Sequence, residues 1–426
     1  MSYDALVIGV GLAGLTAGLR LAQAGRRVLL MAKGLGGTHL GGGTIDVLGY
    51  APERVEHPWA ALPGFLAAHP AHPYARAGLP ALHAAADWFL ATTTELGYPY
   101  TGTLMDNFLL PTAIGTAKPA ALVPGSMAAG DLRAGGKFLI VGFRNLKDFY
   151  PMLLADNLAR ARLPGQPMLA ARGLVLEAPG LNQEADLPAL DFARAFDKPA
   201  FRAALAADLR PRLQPGERVG FPAVLGLADS VAAWQDLQKL LGAPVFEIPT
   251  LPPSIPGMRL YEKFKGALAA AGARVQIGFP VIEARLEGGR CAEVVTAGAA
   301  RPYRWQAEQF VLASGGIASG GILTEADGTV RESIFGLPLA GLPDSEIPRF
   351  RPGYFEAQPM GQVGLAVDEA LRPVDAGGHV VVTNLHAAGA MLAHAEPWRE
   401  KSGDGISLAS GYGAADAVLE AKRDRG

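Results

Sequence analysis

Three observations predict an α/β fold built on a parallel, nucleotide-binding sheet. The chain opens with a short apolar run, Ala5 to Ile8, that reads as a strand buried on both faces. Gly9, Gly11 and Gly14 then fall in the order G-x-G-x-x-G, and an Ala/Leu-rich helical stretch carries on to about Gly25. A second strand at Arg27 to Met31 completes most of a βαβ unit. Each glycine has a physical role. Gly9 permits the tight turn, Gly11 lets backbone approach a pyrophosphate, and Gly14 lets helix and strand pack closely. The first helical turn presents free N–H groups and a positive dipole end, which suit a phosphate.

Composition narrows the class. A chain of 426 residues, 50% hydrophobic and 18% charged, is long enough for a large core and too long for one simple domain. Its net charge of −2, with Arg and Lys scattered, points neither to nucleic acid nor to an anionic membrane surface. The single cysteine, Cys291, excludes an intrachain disulfide, a Cys-rich zinc site and iron–sulfur ligation by this chain alone. No metal site is expected. No apolar run reaches the ~20 residues of a membrane helix, and Asp4 interrupts any signal-peptide reading of the N-terminus. A soluble protein of the cytoplasm is the expectation.

Following the chain onward, Lys33 to Asp46 holds six glycines in fourteen residues and runs into the strand-like Ile45 to Leu48. A flexible linker would be rich in serine and acid, so a cofactor-lining loop is the better reading. The stretch Ala51 to Asp131 reads as irregular, with a helix near Leu79 to Gly97. Lys137 to Gly142 is a strand leading to a helix at about Lys147 to Arg162, a plain βα unit without a second fingerprint. Helices are expected at Ala200 to Leu209, stopped by Pro211, and at Ser230 to Leu241. Strand or loop is expected at Phe221 to Leu227 and Val245 to Pro249. The prolines of Leu251 to Pro256 mark a boundary, after which come a helix from about Met258 to Ala271 and a strand at Arg274 to Ile277. A hairpin at Val281 to Leu286 and Cys291 to Ala297, a strand at Gln309 to Ala313, and a terminal helix from about Ile406 to Lys422 complete the pattern.

Three distant glycine-rich pieces converge: the N-terminal fingerprint, Val311-Leu312-Ala313-Ser314-Gly315-Gly316, and Asn384-Leu385-His386-Ala387-Ala388-Gly389. Together they resemble two-dinucleotide-binding-domain flavoproteins of the fumarate reductase/succinate dehydrogenase type. In that family a strand ending in A-[ST]-G-G closes the nucleotide domain and an N-L-[YF]-A-A-G-like turn meets the flavin ring. Ile248 to Leu260, Phe221-Pro222-Ala223 with Gly226 to Asp229, Asp368-Glu369 with Leu371-Arg372-Pro373, and Phe335-Gly336-Leu337 resemble the B-subunit family of anaerobic glycerol-3-phosphate dehydrogenases. The resemblance spans nearly the whole chain. It implies a Rossmann-like flavoprotein fold with an inserted α/β cap, and a subunit that oxidises sn-glycerol 3-phosphate to dihydroxyacetone phosphate. It also implies a second flavoprotein subunit and an iron–sulfur membrane-anchor subunit as partners, with electrons passing to quinone. The chain would then sit in the cytoplasm, peripheral to the membrane's inner face through a partner.

One departure bears on the cofactor. Dinucleotide folds end strand two with an acid for the adenosine ribose, and here Ala32 takes that place with no Asp or Glu nearby. Flavin therefore stands as the expectation, with FAD from the fold and FMN as the alternative. The expected cofactor-binding residues are Gly9, Gly11, Gly14, Thr38, Gly42, Gly43, Ser314, Gly315, Gly316, Gly389 and Asp404, the last as an acceptor from ribityl hydroxyls.

Oxidising a secondary alcohol needs a base for the hydroxyl proton and a hydride acceptor, which flavin supplies. His39, in the glycine-rich loop, is the first candidate base and His386 the second; for either, a histidine satisfied by backbone hydrogen bonds is the competing reading. A substrate phosphate wants an arginine fork, for which Arg259 is the candidate with Arg351 behind it; an ion pair is the competing reading. Two other functions share the scaffold: a fumarate-reductase-like or 3-ketosteroid-type oxidoreductase, and a non-catalytic subunit that relays electrons through flavin or only scaffolds. The expected organisation is a discontinuous flavin domain, residues 1–55 and 255–426, interrupted by a cap at 56–254.

Overall fold

The computed structural model describes residues 3–165, 167–182, 185–298, 301–344, 346–353 and 356–423. A five-stranded sheet runs in the order Arg274–Ile277, Val28–Ala32, Tyr3–Ile8, Ala307–Leu312, Leu385–Ala387, and every pairing in it is parallel. Tyr3–Ile8 lies at its centre because its apolar run is flanked by two others, with Ile8 level with Met31 on one side and Leu312 on the other. The helices Leu12–Gln23 and Gly403–Arg423 pack against each other over this sheet. Their contact is close, because a Cβ at Gly411 would overlap the Ala13 carbonyl. At the far end Arg20 spans the pair, its Nε 2.8 Å from Asp416 Oδ1.

A second parallel sheet, Val245–Ile248, Glu217–Pro222, Gly136–Phe143, Leu169–Leu176, is formed entirely by residues between the halves of the first. It has its own core, rich in aromatic rings: Phe138, Phe143, Phe192, Phe196, Phe221 and Phe246 are all buried. Gly130 and Gly220 leave the room that the Phe246 ring fills. Residues 58–104 follow the other core, with Leu62, Leu82 and Phe89 packed into the cluster under the five-stranded sheet. A three-stranded antiparallel sheet, Val281–Glu287, Arg290–Thr296 and Tyr303–Trp305, completes the larger elements.

Local chemistry explains most boundaries. The helices Pro58–Ala68, Pro73–Ala77, Pro151–Arg160 and Pro199–Leu209 each begin on proline, whose missing N–H is no loss in a first turn. Ser254 caps the helix Ile255–Ala270 by accepting from the Gly257 N–H at 3.1 Å. Ser230–Leu241 ends on Gly242 in the left-handed conformation, φ +66°.

Two expectations are corrected here, and one strand had no expectation. Ile45 to Leu48 is not a strand: only Ile45 bridges, to Leu122, while the Asp46 carbonyl accepts from the Gly405 N–H and the carbonyls of Val47 and Leu48 accept from the Tyr74 and Asn107 side chains. The stretch before Leu79 is not irregular, since it contains Pro58–Ala68; Pro63 inside that helix masks its pattern. The strand Leu169–Leu176 was missed because Arg172 and Gly173 interrupt its apolar run. Among the described residues no helix is long and apolar enough to cross a membrane.

Replacing Phe246 with Ala should destabilise the protein by about 3–5 kcal/mol, because Phe138, Gly130 and Gly220 cannot close over the cavity. Urea unfolding monitored by circular dichroism measures it; a loss under about 1 kcal/mol would contradict this packing.

Candidate cofactor cleft

The C-terminal ends of the five parallel strands open into a cleft of 810 Å³. That is within the usual range for ligand sites, ~300–1,000 Å³, and near its upper end. One wall is Gly9, Gly11 and Ala13 at the start of the first helix; facing it are Ala313, Ser314 and Gly315, with Ser319. Gly36, Gly37, Thr38, Gly43 and Thr44 come from the glycine-rich loop, and Gly389, Gly403, Asp404 and Ser407 close the far end.

The fingerprint glycines divide by role. Gly9 has φ +114°, and a Cβ on it would overlap the Ala313 carbonyl; one on Gly14 would overlap the Gly9 carbonyl. These two fix helix against strands. Gly11 is different: a Cβ there would meet only the Gly37 nitrogen, at 4.0 Å, and would otherwise stand in the cleft. The helix that begins here has no side-chain cap and no acid in its first turn. Its free N–H groups and dipole are therefore available to an anion in the space beside Gly11.

The cleft also continues past this cradle. Met31, Ala32, Lys33, Gly34, Pro280 and Val281 line an extension at the end of strand two, and Ile45, Gly403 and Asp404 line the opposite end. A phosphate seat at mid-length with room on both sides fits a dinucleotide. FMN would leave the extension beyond Ala32 empty, so the group these residues fit is FAD.

Of the expected cofactor residues, Gly9, Gly11, Thr38, Gly43, Ser314, Gly315, Gly389 and Asp404 line the cleft. Gly14, Gly42 and Gly316 lie behind it. A Cβ on Gly42 would press on Pro249 at 3.3 Å, and one on Gly316 would run into the Ala390 carbonyl.

The candidate catalytic residues are not brought together. The Arg259 guanidinium is buried, with Nη1 2.7 Å from Glu247 Oε2, Nη2 3.0 Å from Glu247 Oε1 and Nε 2.8 Å from the Gly226 carbonyl. Glu247 also accepts from Ser126 Oγ and the Leu225 N–H. This is a structural knot between the second sheet and the helix Ile255–Ala270, and the role of free phosphate fork is withdrawn for Arg259. Arg351 is exposed and outside the cleft wall. His386 is buried in the strand Leu385–Ala387, its Nδ1–H donating to the Ala370 carbonyl at 2.7 Å, and it does not line the cleft. Burial holds its pKa below the ordinary value. His39 sits between two cleft residues, Thr38 and Leu40, but its own ring packs on Tyr261 with centroids 4.6 Å apart. Burial lowers its pKa too, partly opposed by Glu262, and its Nδ1 has no hydrogen-bond partner.

One group escaped the sequence reading. Lys118 Nζ lies 2.8 Å from Asp46 Oδ2 and donates to Thr44 Oγ1 at 2.8 Å, and Thr44 in turn donates to Asp46 Oδ1 at 2.9 Å. Beside this pair stands Asp404, whose carboxyl burial and the Asp46 charge push up to about 7. Nothing in the local pattern announces it, because Lys118 and Thr44 are 74 residues apart. Cys291 is buried and its thiol is pushed up to about 12 by burial, which leaves it inert.

A parallel sheet carrying a glycine-walled cleft at a helix N-terminus defines a dinucleotide-binding protein. Comparison with known proteins agrees: a family model described as FAD binding domain matches residues 4–406. A Halobacterium salinarum protein, named as the probable B subunit of an anaerobic glycerol-3-phosphate dehydrogenase, is 36% identical over 99% of this chain and 99% of its own. The anaerobic glycerol-3-phosphate dehydrogenase B subunit of Pectobacterium carotovorum is 33% identical, again over 99% of each chain. A solved 3-ketosteroid delta1-dehydrogenase of Sterolibacterium denitrificans aligns over 99% of this chain and 100% of its own, at 12% identity and a TM-score of 0.48. The chain belongs to the FAD-binding domain family and, within it, to the B-subunit family of anaerobic glycerol-3-phosphate dehydrogenases.

Two substitutions separate cradle from frame. Gly11→Ala should leave thermal stability within about 1 kcal/mol while weakening FAD binding at least tenfold, because its methyl enters only the cleft. Gly14→Ala should prevent folding. Equal FAD affinity in Gly11→Ala and the parent, by fluorescence titration, would remove the phosphate seat from Gly11. Arg259→Ala strands a buried Glu247 carboxylate and should destabilise by about 3–5 kcal/mol in urea unfolding. If the R259A protein instead kept its stability and lost only substrate affinity, the structural assignment would be wrong.

Proposed function

We propose that this subunit oxidises sn-glycerol 3-phosphate to dihydroxyacetone phosphate and passes the electrons, through a partner iron–sulfur subunit, to quinone. The observation that carries it is the full-length similarity to relatives named as the B subunit of that dehydrogenase, joined to a cleft that fits FAD. The flavin domain is taken as residues 1–55 and 255–426, with 56–254 as the cap. A second flavoprotein subunit and the iron–sulfur membrane anchor complete the assembly and would hold this chain peripheral to the inner membrane face. The chain itself has one cysteine, so cluster ligands must come from a partner.

Bound FAD supplies the hydride acceptor. This chain's part is to seat the pyrophosphate on the N–H groups after Gly11, to hold the dinucleotide between Ser314–Gly315 and the glycine-rich loop, and to keep water out of the far end. A base must take the hydroxyl proton. His39 is the one to test, since its lowered pKa keeps it neutral at pH 7 and its neighbours on both sides line the cleft.

One observation favours a second reading, in which the alcohol is oxidised on a partner and this chain relays electrons. Among the described residues, Lys33 is the sole cationic side chain in the cleft wall, and no arginine fork waits for a substrate phosphate. Anaerobic titration decides between them. Glycerol 3-phosphate should bleach the flavin absorbance of this subunit without its partners; bleaching only when a partner is added supports the relay. His39→Ala should slow that bleaching by about 10²–10⁴-fold. Unchanged kinetics would take the base away from His39.

A further inference from the structure

We propose that Asp404 is a hydrogen-bond donor to the bound dinucleotide, a neutral carboxylic acid held in the cleft wall beside the Asp46–Lys118 ion pair, and that FAD uptake is coupled to uptake of its proton. This reverses the polarity that the sequence suggested, where Asp404 accepts from ribityl hydroxyls.

The geometry is a count of charges around one point. Asp46 already holds the nearest cation: Lys118 Nζ is 2.8 Å from its Oδ2, and Thr44 Oγ1 occupies its Oδ1 at 2.9 Å. The Asp46 main chain is fixed as well, with its carbonyl accepting from the Gly405 N–H at 2.9 Å, while its N–H favours the ionised Asp404 carboxyl less than burial and the Asp46 charge oppose it. Asp404 therefore shares one lysine with Asp46: Lys118 pairs with Asp46 and also favours the Asp404 carboxylate, but ranks behind burial and the Asp46 charge, which oppose it. Its remaining surface faces the cleft, which it lines together with Gly403 and Ser407.

Other groups around it do not supply a replacement cation. From the segment before the helix, Lys401 favours ionisation weakly and ranks behind burial, Asp46 and Lys118 in its effect. From the elements packed over it, Tyr74 and Tyr100 are neutral, and both have their own pKa raised with Asp404 as one cause. Tyr74 donates to the Val47 carbonyl and Tyr100 to that of Gly43, so neither hydroxyl is free for Asp404. The N-terminal turn of Gly403–Arg423 favours an anion, but by ~0.3–1 kcal/mol at most sites. Burial and the like charge of Asp46 outweigh it, consistent with a carboxyl pushed up to about 7.

The sign of the coupling follows. A carboxyl with a raised folded value keeps a proton that the unfolded chain has lost. Its stabilising contribution is full below the ordinary carboxylate range and is lost as pH rises towards about 7. FAD closes the remaining water-facing side of Asp404 and brings a pyrophosphate into the same cleft. Both disfavour the ionised form further, so binding draws a proton in.

The test uses the full chain, freed of flavin and titrated with FAD from pH 5.5 to 9 by fluorescence. The parent should bind FAD about tenfold more weakly at pH 9 than at pH 6, the effect of one further pKa unit on binding. Asp404→Asn keeps a permanent neutral donor and should bind with a flat profile. Asp46→Asn should move the midpoint of the profile down, and Lys118→Gln should move it up. An Asp404→Asn profile as steep as the parent's, or a midpoint that Asp46→Asn leaves in place, would overturn the proposal. Should flavin-free protein not survive, the holoprotein carries the second readout: an infrared carboxylic C=O band that titrates in the parent and is missing in Asp404→Asn. A titrating band that persists in Asp404→Asn would equally overturn it. The inference rests on FAD binding and on no substrate, so a failure of glycerol 3-phosphate to bleach the flavin leaves it standing.

Discussion

The structure depends on one steric constraint: three backbone segments meet more closely than any side chain allows. The turn at Gly9 lies against the Ala313 carbonyl, and Gly14 lies against Gly9. This contact brings the end of the central strand, the start of the first helix and the end of the fourth strand to one point. The helix N-terminus is thereby aimed into the cleft, and the free N–H groups of its first turn are available to an anion there. Gly411 on the last helix repeats the device from the other side, so the C-terminal segment carrying Asp404 is pressed onto the same first helix.

That constraint also explains what was legible in the sequence. Close backbone approach leaves glycine as its mark, and glycines at fixed spacing can be read without a structure. The fingerprint, Ser314–Gly315, Gly43 and Gly389 were found this way, and of these only Gly14 stands behind the cleft instead of lining it. Side-chain partnerships leave no comparable mark. Arg259 looked like a free phosphate ligand because Glu247 and the Gly226 carbonyl, its actual partners, lie in other segments without a motif. Asp46 and Lys118 were invisible for the same reason. His386 was read as a candidate base because of its motif, yet it lies within the strand Leu385–Ala387, short of the cleft that begins at Ala388, with its Nδ1–H bound to the Ala370 carbonyl.

The link between the two sheets carries its own logic. Residues 249–257 cross from the inserted sheet to the helix Ile255–Ala270, and on the way they brace the glycine-rich loop. The Ser254 N–H donates to the His39 carbonyl at 2.8 Å, Gly257 packs under the Thr38 carbonyl, and Pro249 and Pro256 back onto Gly42 and Gly43. The Arg259–Glu247 knot then ties that helix to the last strand of the inserted sheet. A buried pair of this kind contributes little net stability over an apolar substitute but strongly resists having one partner removed. The geometry of the cofactor loop is in this way tied to the seating of the inserted segment, through residues that stand behind the cleft.

What remains is how a cleft almost without cations holds an anionic dinucleotide. Ala32 stands where an acid would grip the adenosine ribose, and Lys33 is the sole basic side chain in the described wall. Affinity must come mainly from backbone: helix N–H groups, glycine-flanked amides and apolar walls. Such a site tolerates little added negative charge, because no side chain is present to offset it. An ionised Asp404 would put a carboxylate in the wall of the same cleft that would take the pyrophosphate, and like charges there repel. On the proposal made above, the lone acid of the described wall meets this cofactor with its charge suppressed. Burial and then the neighbouring Asp46 work against that charge, and Lys118, paired with Asp46, offsets them only in part.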